Sequence, residues 1–146
     1  MRYSKGFNLI ELMVVVFIVS VLTAIALPAY KNYMMRGRIP GATSILASKR
    51  VQMEQYFQDN RTYVAAPACN ADTSSSQYFT FSCTGGGTPT ATSYIITATG
   101  NNPGPMAGFT YTIDQGNNKQ TTAAPAGWAA AAMPISCWIT NTGGAC

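Results

Sequence analysis

From Leu12 to Tyr30 the chain runs for 19 residues without a charge. At about 1.5 Å per residue a helix of that length reaches roughly 28 Å, enough to cross a hydrocarbon core of about 30 Å. One carboxylate, Glu11, stands at the entrance to this run. A carboxylate inside such a segment costs a few kcal/mol on insertion scales, so it needs a cationic partner and marks a functional position. An ordinary secretory signal has a charged start, an apolar stretch of about 7–15 residues and a small-residue cleavage site after it. Here the run is longer and carries Glu11, and Ala24-Ile25-Ala26 leads straight into Leu27-Pro28. A plain single-span anchor accounts for the length but leaves Glu11 unexplained.

The residues around Glu11 are specific: Lys5-Gly6-Phe7-Asn8-Leu9-Ile10-Glu11-Leu12-Met13-Val14-Val15-Val16. This stretch resembles the processing motif of type IV prepilins. The short basic leader, the glycine before a phenylalanine, the glutamate four residues later and Pro28 all match. The resemblance implies that a prepilin peptidase/methyltransferase cuts after Gly6 and methylates the new amine of Phe7. It implies that the subunit waits in the inner membrane as a single-pass protein, N-terminus in the cytoplasm. The inner-membrane pilus machinery then draws it into a helical surface filament of pilin subunits. The charge bias does not settle orientation, because Arg2 and Lys5 flank one end of the run while Lys31, Arg36 and Arg38 flank the other. The resemblance also supplies a partner for Glu11, the Phe7 amine of a neighbouring subunit. A buried pair left half-made costs about 3–5 kcal/mol, so Glu11 would act as a register device. Methylation keeps the charge of the amine. Pro28 matches the position before which pilins lose helicity in the filament.

At 146 residues the chain is long enough for one domain beyond the apolar segment. The expected organisation is a leader over 1–6, a filament-core helix over 7–30, an amphipathic helix over 31–62 and a β-rich head over 63–146. Charged residues make up 10% of the chain and histidine is absent. With Arg2 and Lys5 removed, seven basic and five acidic residues remain, a net +2. From Thr73 onward the only charges are Asp114 and Lys119. The four cysteines, Cys69, Cys83, Cys137 and Cys146, all follow the apolar run. An even count in an exported, charge-poor domain favours disulfides, with three possible pairings. Because each pair brackets a turn-rich loop, Cys69–Cys83 and Cys137–Cys146 are expected. A zinc site is not expected, since there is no C-x-x-C pair and no histidine.

Pro28 removes a backbone donor and crowds the carbonyl of Ala24, and Ser20 and Thr23 can bond back to carbonyls in the same region. Gly37 and Pro40-Gly41 predict a kink or short break near Ile39. From Ala42 the period is helical, with Ala42, Ile45, Leu46, Lys49, Met53, Tyr56 and Phe57 on one face. Lys49 intrudes on that stripe and is expected to snorkel. The helix should fade around Asn60. Strands are predicted at Gln77–Cys83, Ser93–Thr99 and Gly108–Asp114, with Phe109, Tyr111 and Ile113 on one face. Gly116-Asn117-Asn118 turns the chain into a fourth strand at Lys119–Thr122. The fold class is therefore α+β, a long helix against a small antiparallel meander. The resemblance implies the same pilin architecture.

No catalytic constellation emerges, and no cofactor or metal is expected. Without histidine the usual nucleophilic triad is excluded, and Gly85-Gly86-Gly87 lacks the lysine and the strand–helix context of a phosphate loop. Glu54, Asp59 and Asp72 read as solvated carboxylates, and Asp114 as a turn cap. The expected role is a structural pilus subunit, minor or priming rather than major. Two alternatives share the leader. A type II secretion pseudopilin usually lacks disulfides, so the four cysteines disfavour it. A DNA-receptor pilin would need accessible cations, and Arg36, Arg38, Lys49, Arg50 and Arg61 are the candidates.

Overall fold

The computed structural model describes residues 8–129 and 132–146. The chain divides into two compact units, Met1–Met34 and Met35–Cys146. One α-helix, α1 (Leu9–Asn60), supplies all of the described secondary structure of the first and the opening element of the second. Within the first unit every described side chain from Asn8 to Lys31 is exposed. The carbonyl of Asn8 accepts the first helical bonds, from Glu11 N at 3.0 Å and Leu12 N at 3.2 Å. Thr23 Oγ1 donates to the Val19 carbonyl and Ser20 Oγ to that of Phe17, each at 2.7 Å. These hydroxyls are thereby satisfied without leaving the helix.

Of the kink or short break expected near Ile39, the break does not occur: α1 runs through Gly37, Pro40 and Gly41 as one helix. The reason lies in packing. Ile39, Ala42 and Leu46 are all buried in the core of the second unit, and tertiary burial of one helix face outweighs weak local propensity. α1 ends where Arg61 takes a left-handed conformation (φ 57°) and returns its N–H to the Phe57 carbonyl at 2.8 Å, an αL stop of the kind usually made by glycine.

Four strands follow: β1 (Phe79–Ser82), β2 (Ile95–Gly100), β3 (Thr110–Asp114) and β4 (Lys119–Ala123). They form one antiparallel sheet in sequence order. Each strand falls within, or one residue beyond, a segment predicted from alternation. Phe79, Phe81, Ile96, Ala98, Tyr111 and Ile113 point to the core together with Ile39, Ala42, Leu46 and Met53 of α1. Ile45 and Phe57, expected on the same face, are partly buried against that core. The β3–β4 turn is closed by Asp114, whose carboxylate accepts from Asn118 N at 2.9 Å and Asn118 Nδ2 at 2.8 Å. Gly100 is required where β2 ends, since a Cβ there would meet the Met106 carbonyl.

Each edge strand carries one isolated bridge, Asp72 to Phe81 beside β1 and Ile135 to Thr121 beside β4. The second of these anchors the C-terminal segment, which the strand pattern did not assign. Thr121 is fully buried, and its hydroxyl donates to the Cys137 carbonyl at 2.7 Å while accepting from Ile139 N at 3.0 Å. The Tyr111 hydroxyl donates to the Ile139 carbonyl at 3.1 Å. Trp128 stands edge-on to Phe109, with ring centroids 5.1 Å apart.

Candidate functional site

α1 is long and apolar enough near its N-terminus to cross a membrane, with a mean hydropathy of 2.7 over its most apolar window. Leu9, Ile10, Leu12, Met13, Phe17, Leu22 and Ile25 are each more than half exposed. A continuous apolar surface of this kind marks a contact with lipid or with protein. Glu11 lies in the first turn of this helix as its one described charge before Lys31. Pro28 sits inside the same helix, so the bond its nitrogen would donate to the Ala24 carbonyl is missing. Gly6 and Phe7, the expected processing residues, lie outside the described residues.

The basic residues of the second half of α1 do not form a uniform set. Arg36 and Arg61 are exposed. The Arg38 guanidinium lies 4.4 Å from the centroid of the Tyr78 ring. Lys49, expected to snorkel into solvent, is instead buried, because a carboxylate meets it inside: Lys49 Nζ is 2.9 Å from Asp72 Oδ2 and lies over the Phe81 ring at 6.0 Å. Asp72 is therefore not a freely solvated carboxylate. It also accepts from Ser75 Oγ at 2.6 Å and from the N–H groups of Ser74 and Ser75. The Ser75 hydroxyl and then Lys49 hold its pKa well below the usual carboxylate range.

Glu54 likewise departs from its solvated reading. It accepts hydrogen bonds from Tyr63 at 3.0 Å and Tyr94 at 2.8 Å, tying α1 to the following loop and to the entry of β2. Burial, and then the Glu54 hydrogen bond, push both tyrosine pKa values up. The buried Nε of Arg50 has no hydrogen-bond partner among the described residues. These two clusters went unseen in the sequence because their partners lie 9, 23 and 40 positions from the helix residues. No local pattern couples such distances.

Cys69 and Cys83 are joined by a disulfide, with Cα atoms 4.8 Å apart. The Cα atoms of Cys137 and Cys146 lie 6.1 Å apart, inside the range a disulfide spans. Beside Cys137 an open groove of about 390 Å³ is lined by Asn117, Asn118, Lys119, Gln120 and Ser136. Lys119 Nζ lies 4.9 Å from the centroid of the Trp138 ring, whose Nε1 donates to the Thr112 carbonyl at 2.9 Å. No group of three or more metal-ligating side chains occurs among the described residues.

An exposed apolar helix entered through one carboxylate, joined in sequence to a helix-on-meander unit with a disulfide, defines a pilin-class subunit. Residues 1–27 match the prokaryotic N-terminal methylation motif. Residues 28–110 match the profile described as "Type IV minor pilin ComP, DNA uptake sequence receptor", and the chain belongs to that family of type IV pilins. It is 39% identical over 70 residues to the fimbrial protein EcpC of Eikenella corrodens, covering 48% of this chain and 44% of that protein. It is 38% identical over 72 residues to the type IV major pilin protein PilE1 of Neisseria gonorrhoeae, covering 44% and 34%. A fimbrial protein of Moraxella nonliquefaciens is 36% identical over 72 residues, covering 49% and 47%. The chain thus spans less than half the length of these relatives. No solved structure matches it.

Proposed function

We propose that this chain is a minor subunit of a type IV pilus, with a structural rather than catalytic role. In this reading a prepilin peptidase cuts after Gly6 and the amine of Phe7 is methylated. The apolar part of α1 then holds the subunit in the inner membrane, N-terminus in the cytoplasm, until the assembly machinery draws it into an extracellular filament. The observation that carries the reading is the exposed, charge-free run of α1 from Leu12 to Tyr30 with Glu11 at its entrance. In a filament core that surface is covered by neighbouring helices, and Glu11 meets the Phe7 amine of another subunit. Only one axial stagger satisfies both charges, which is how a costly buried pair becomes a device for register. Pro28 weakens the helix where the packed filament needs it to give. The Cys137–Cys146 bond closes a short C-terminal loop. Glu11→Ala should leave membrane insertion intact and lower filament incorporation at least about tenfold, the lower bound set by a few kcal/mol for an unpaired buried amine. Immunoblots of sheared filaments against membrane fractions measure this, and normal incorporation of the mutant sinks the register role.

A second reading, reception of DNA, is favoured by the description of the matching family and by the Lys119–Trp138 pair on an open groove. A cation beside an aromatic ring suits a phosphate next to an unstacked base. With few accessible lysines and arginines, binding would be weak and its salt dependence shallow. Gel-shift binding at low salt that is lost in Lys119→Ala supports this reading, and absence of binding at low salt eliminates it.

A further inference from the structure

Gly85-Gly86-Gly87, which makes no phosphate loop, lies as a strap across the outer face of β2. Thr84–Gly86 forms a single 3-10 turn there. A Cβ added at Gly85 would stand 3.0 Å from Thr97 Oγ1, and one added at Gly86 would collide with the Ile95 side chain. Beneath the strap Thr97 is 4% exposed, and its hydroxyl has no hydrogen-bond partner among the described residues. A buried hydroxyl left unpaired is costly, so the closed strap works against itself. It is also weakly held. Its own backbone bonds are long, Gly86 N to the Cys83 carbonyl at 3.3 Å and Gly87 N to the Thr84 carbonyl at 3.5 Å. Thr84 Oγ1 latches it to the sheet by donating to Ser82 Oγ at 3.0 Å. The two ends differ. Cys83 is buried and bonded to Cys69, which fixes one end. Gly87 has φ 103° and open space around its Cβ position, a conformation that glycine adopts freely.

We propose that residues 84–87 are a lid that opens by itself, pivoting between Cys83 and Gly87 while the sheet stays folded. Segments with few apolar contacts and exposed backbone are the ones that open locally, and Gly85, Gly86 and Gly87 are exposed and bring no side chain to the core. Opening lets water reach the Thr97 hydroxyl and closing strips it away, so the unmet hydroxyl lowers the cost of opening. Thr97 belongs to a rung on the outer face, Ser82–Thr97–Thr112–Gln120, paired strand to strand across the sheet. The far end of that rung, Gln120, lines the open groove beside Lys119. The near end is what the lid controls. Closed, it presents glycine backbone; open, it presents the hydroxyls of Ser82 and Thr97, which both donate and accept.

The test is amide hydrogen exchange of the isotope-labelled full chain in detergent micelles, with Gly86 and Gly87 reporting the lid and Ile96 and Ala98 the sheet. Thr97→Val keeps the shape of the side chain and removes the unmet hydroxyl. It should hold the lid shut and slow exchange at Gly86 and Gly87 at least about fivefold. Ser82→Ala removes the latch and should speed the same two amides about fivefold, the worth of one neutral hydrogen bond. Gly86→Ala drives a Cβ into Ile95 and should leave the lid open. In all three variants Ile96 and Ala98 should exchange as in the native chain. Lid amides that exchange no faster than those of Ile96 and Ala98 would overturn the proposal. So would unchanged or faster lid exchange in Thr97→Val, or loss of protection at Ile96 and Ala98 in step with the lid in Ser82→Ala.

Discussion

Lys49 shows how one residue can organise a unit. Its ammonium is buried on the core face of α1 and is tolerated there because Asp72 meets it. Asp72→Asn should therefore destabilise the Met35–Cys146 unit by about 3 kcal/mol, since it leaves a buried charge uncompensated. Chemical denaturation of both proteins at neutral pH measures this. Asp72, held first by the Ser75 hydroxyl and then by Lys49, also sets an acid dependence. The pKa of Asp72 is lowered in the folded chain, so its contribution is fully present above the ordinary carboxylate pKa of 3.8. It is lost as pH falls below that value toward the lowered folded one. The acid limb of the stability curve should be steeper in the native chain than in Asp72→Asn, and parallel curves below about pH 4 would contradict the linkage. Tyr94→Phe removes one of the two hydroxyls on Glu54. It should cost about 1.5–3 kcal/mol, as expected for a hydrogen bond to a charged group, and thermal unfolding reads the loss.

At the scale of elements, α1 was legible in existence and in its C-terminal boundary but not in its continuity. Gly37 and Pro40-Gly41 spell a break by propensity, yet Ile39 and Ala42 on either side of Pro40 are buried, and the core wins. Nothing lies within 4 Å of a Cβ added at Gly41. Gly41→Ala should thus stabilise the unit by about 0.5–1 kcal/mol, raising Tm by roughly 2–4 °C, and an unchanged or lower Tm would mean that the helix is not continuous in solution. The strands were readable because Phe109-Thr110-Tyr111-Thr112-Ile113 and its neighbours alternate cleanly, a local signal with a period of two. The C-terminal segment was not readable. Ile135, Cys137 and Ile139 are held by Thr121, a threonine turned inward in a strand with little apolar character. The Lys49–Asp72 and Glu54–Tyr63–Tyr94 clusters escaped for the same reason: each joins α1 to residues that only the fold brings near. Gly6 and Phe7, by contrast, were read from a motif whose meaning is chemical and does not depend on packing.

For the molecule as a whole, two surfaces with opposite character divide the work. The described part of the first unit exposes apolar side chains and one carboxylate, and cannot remain bare in water. The second unit buries most of its aromatics and, from Thr73 to Cys146, carries only Asp114 and Lys119 as charges. Such a chain is poorly suited to independent solubility and well suited to a lipid bilayer first and a packed filament afterwards. In the proposed reading the new N-terminus at Phe7 supplies the cation that Glu11 lacks within the apolar run. The most direct measurement is quantitative mass spectrometry of sheared surface filaments and of membranes for a peptide beginning with N-methylated Phe7. The account predicts this peptide in both fractions, at a low ratio to the most abundant pilin in the filaments. A chain recovered only with Met1–Gly6 still attached, or a trimmed chain wholly absent from filaments, would contradict it.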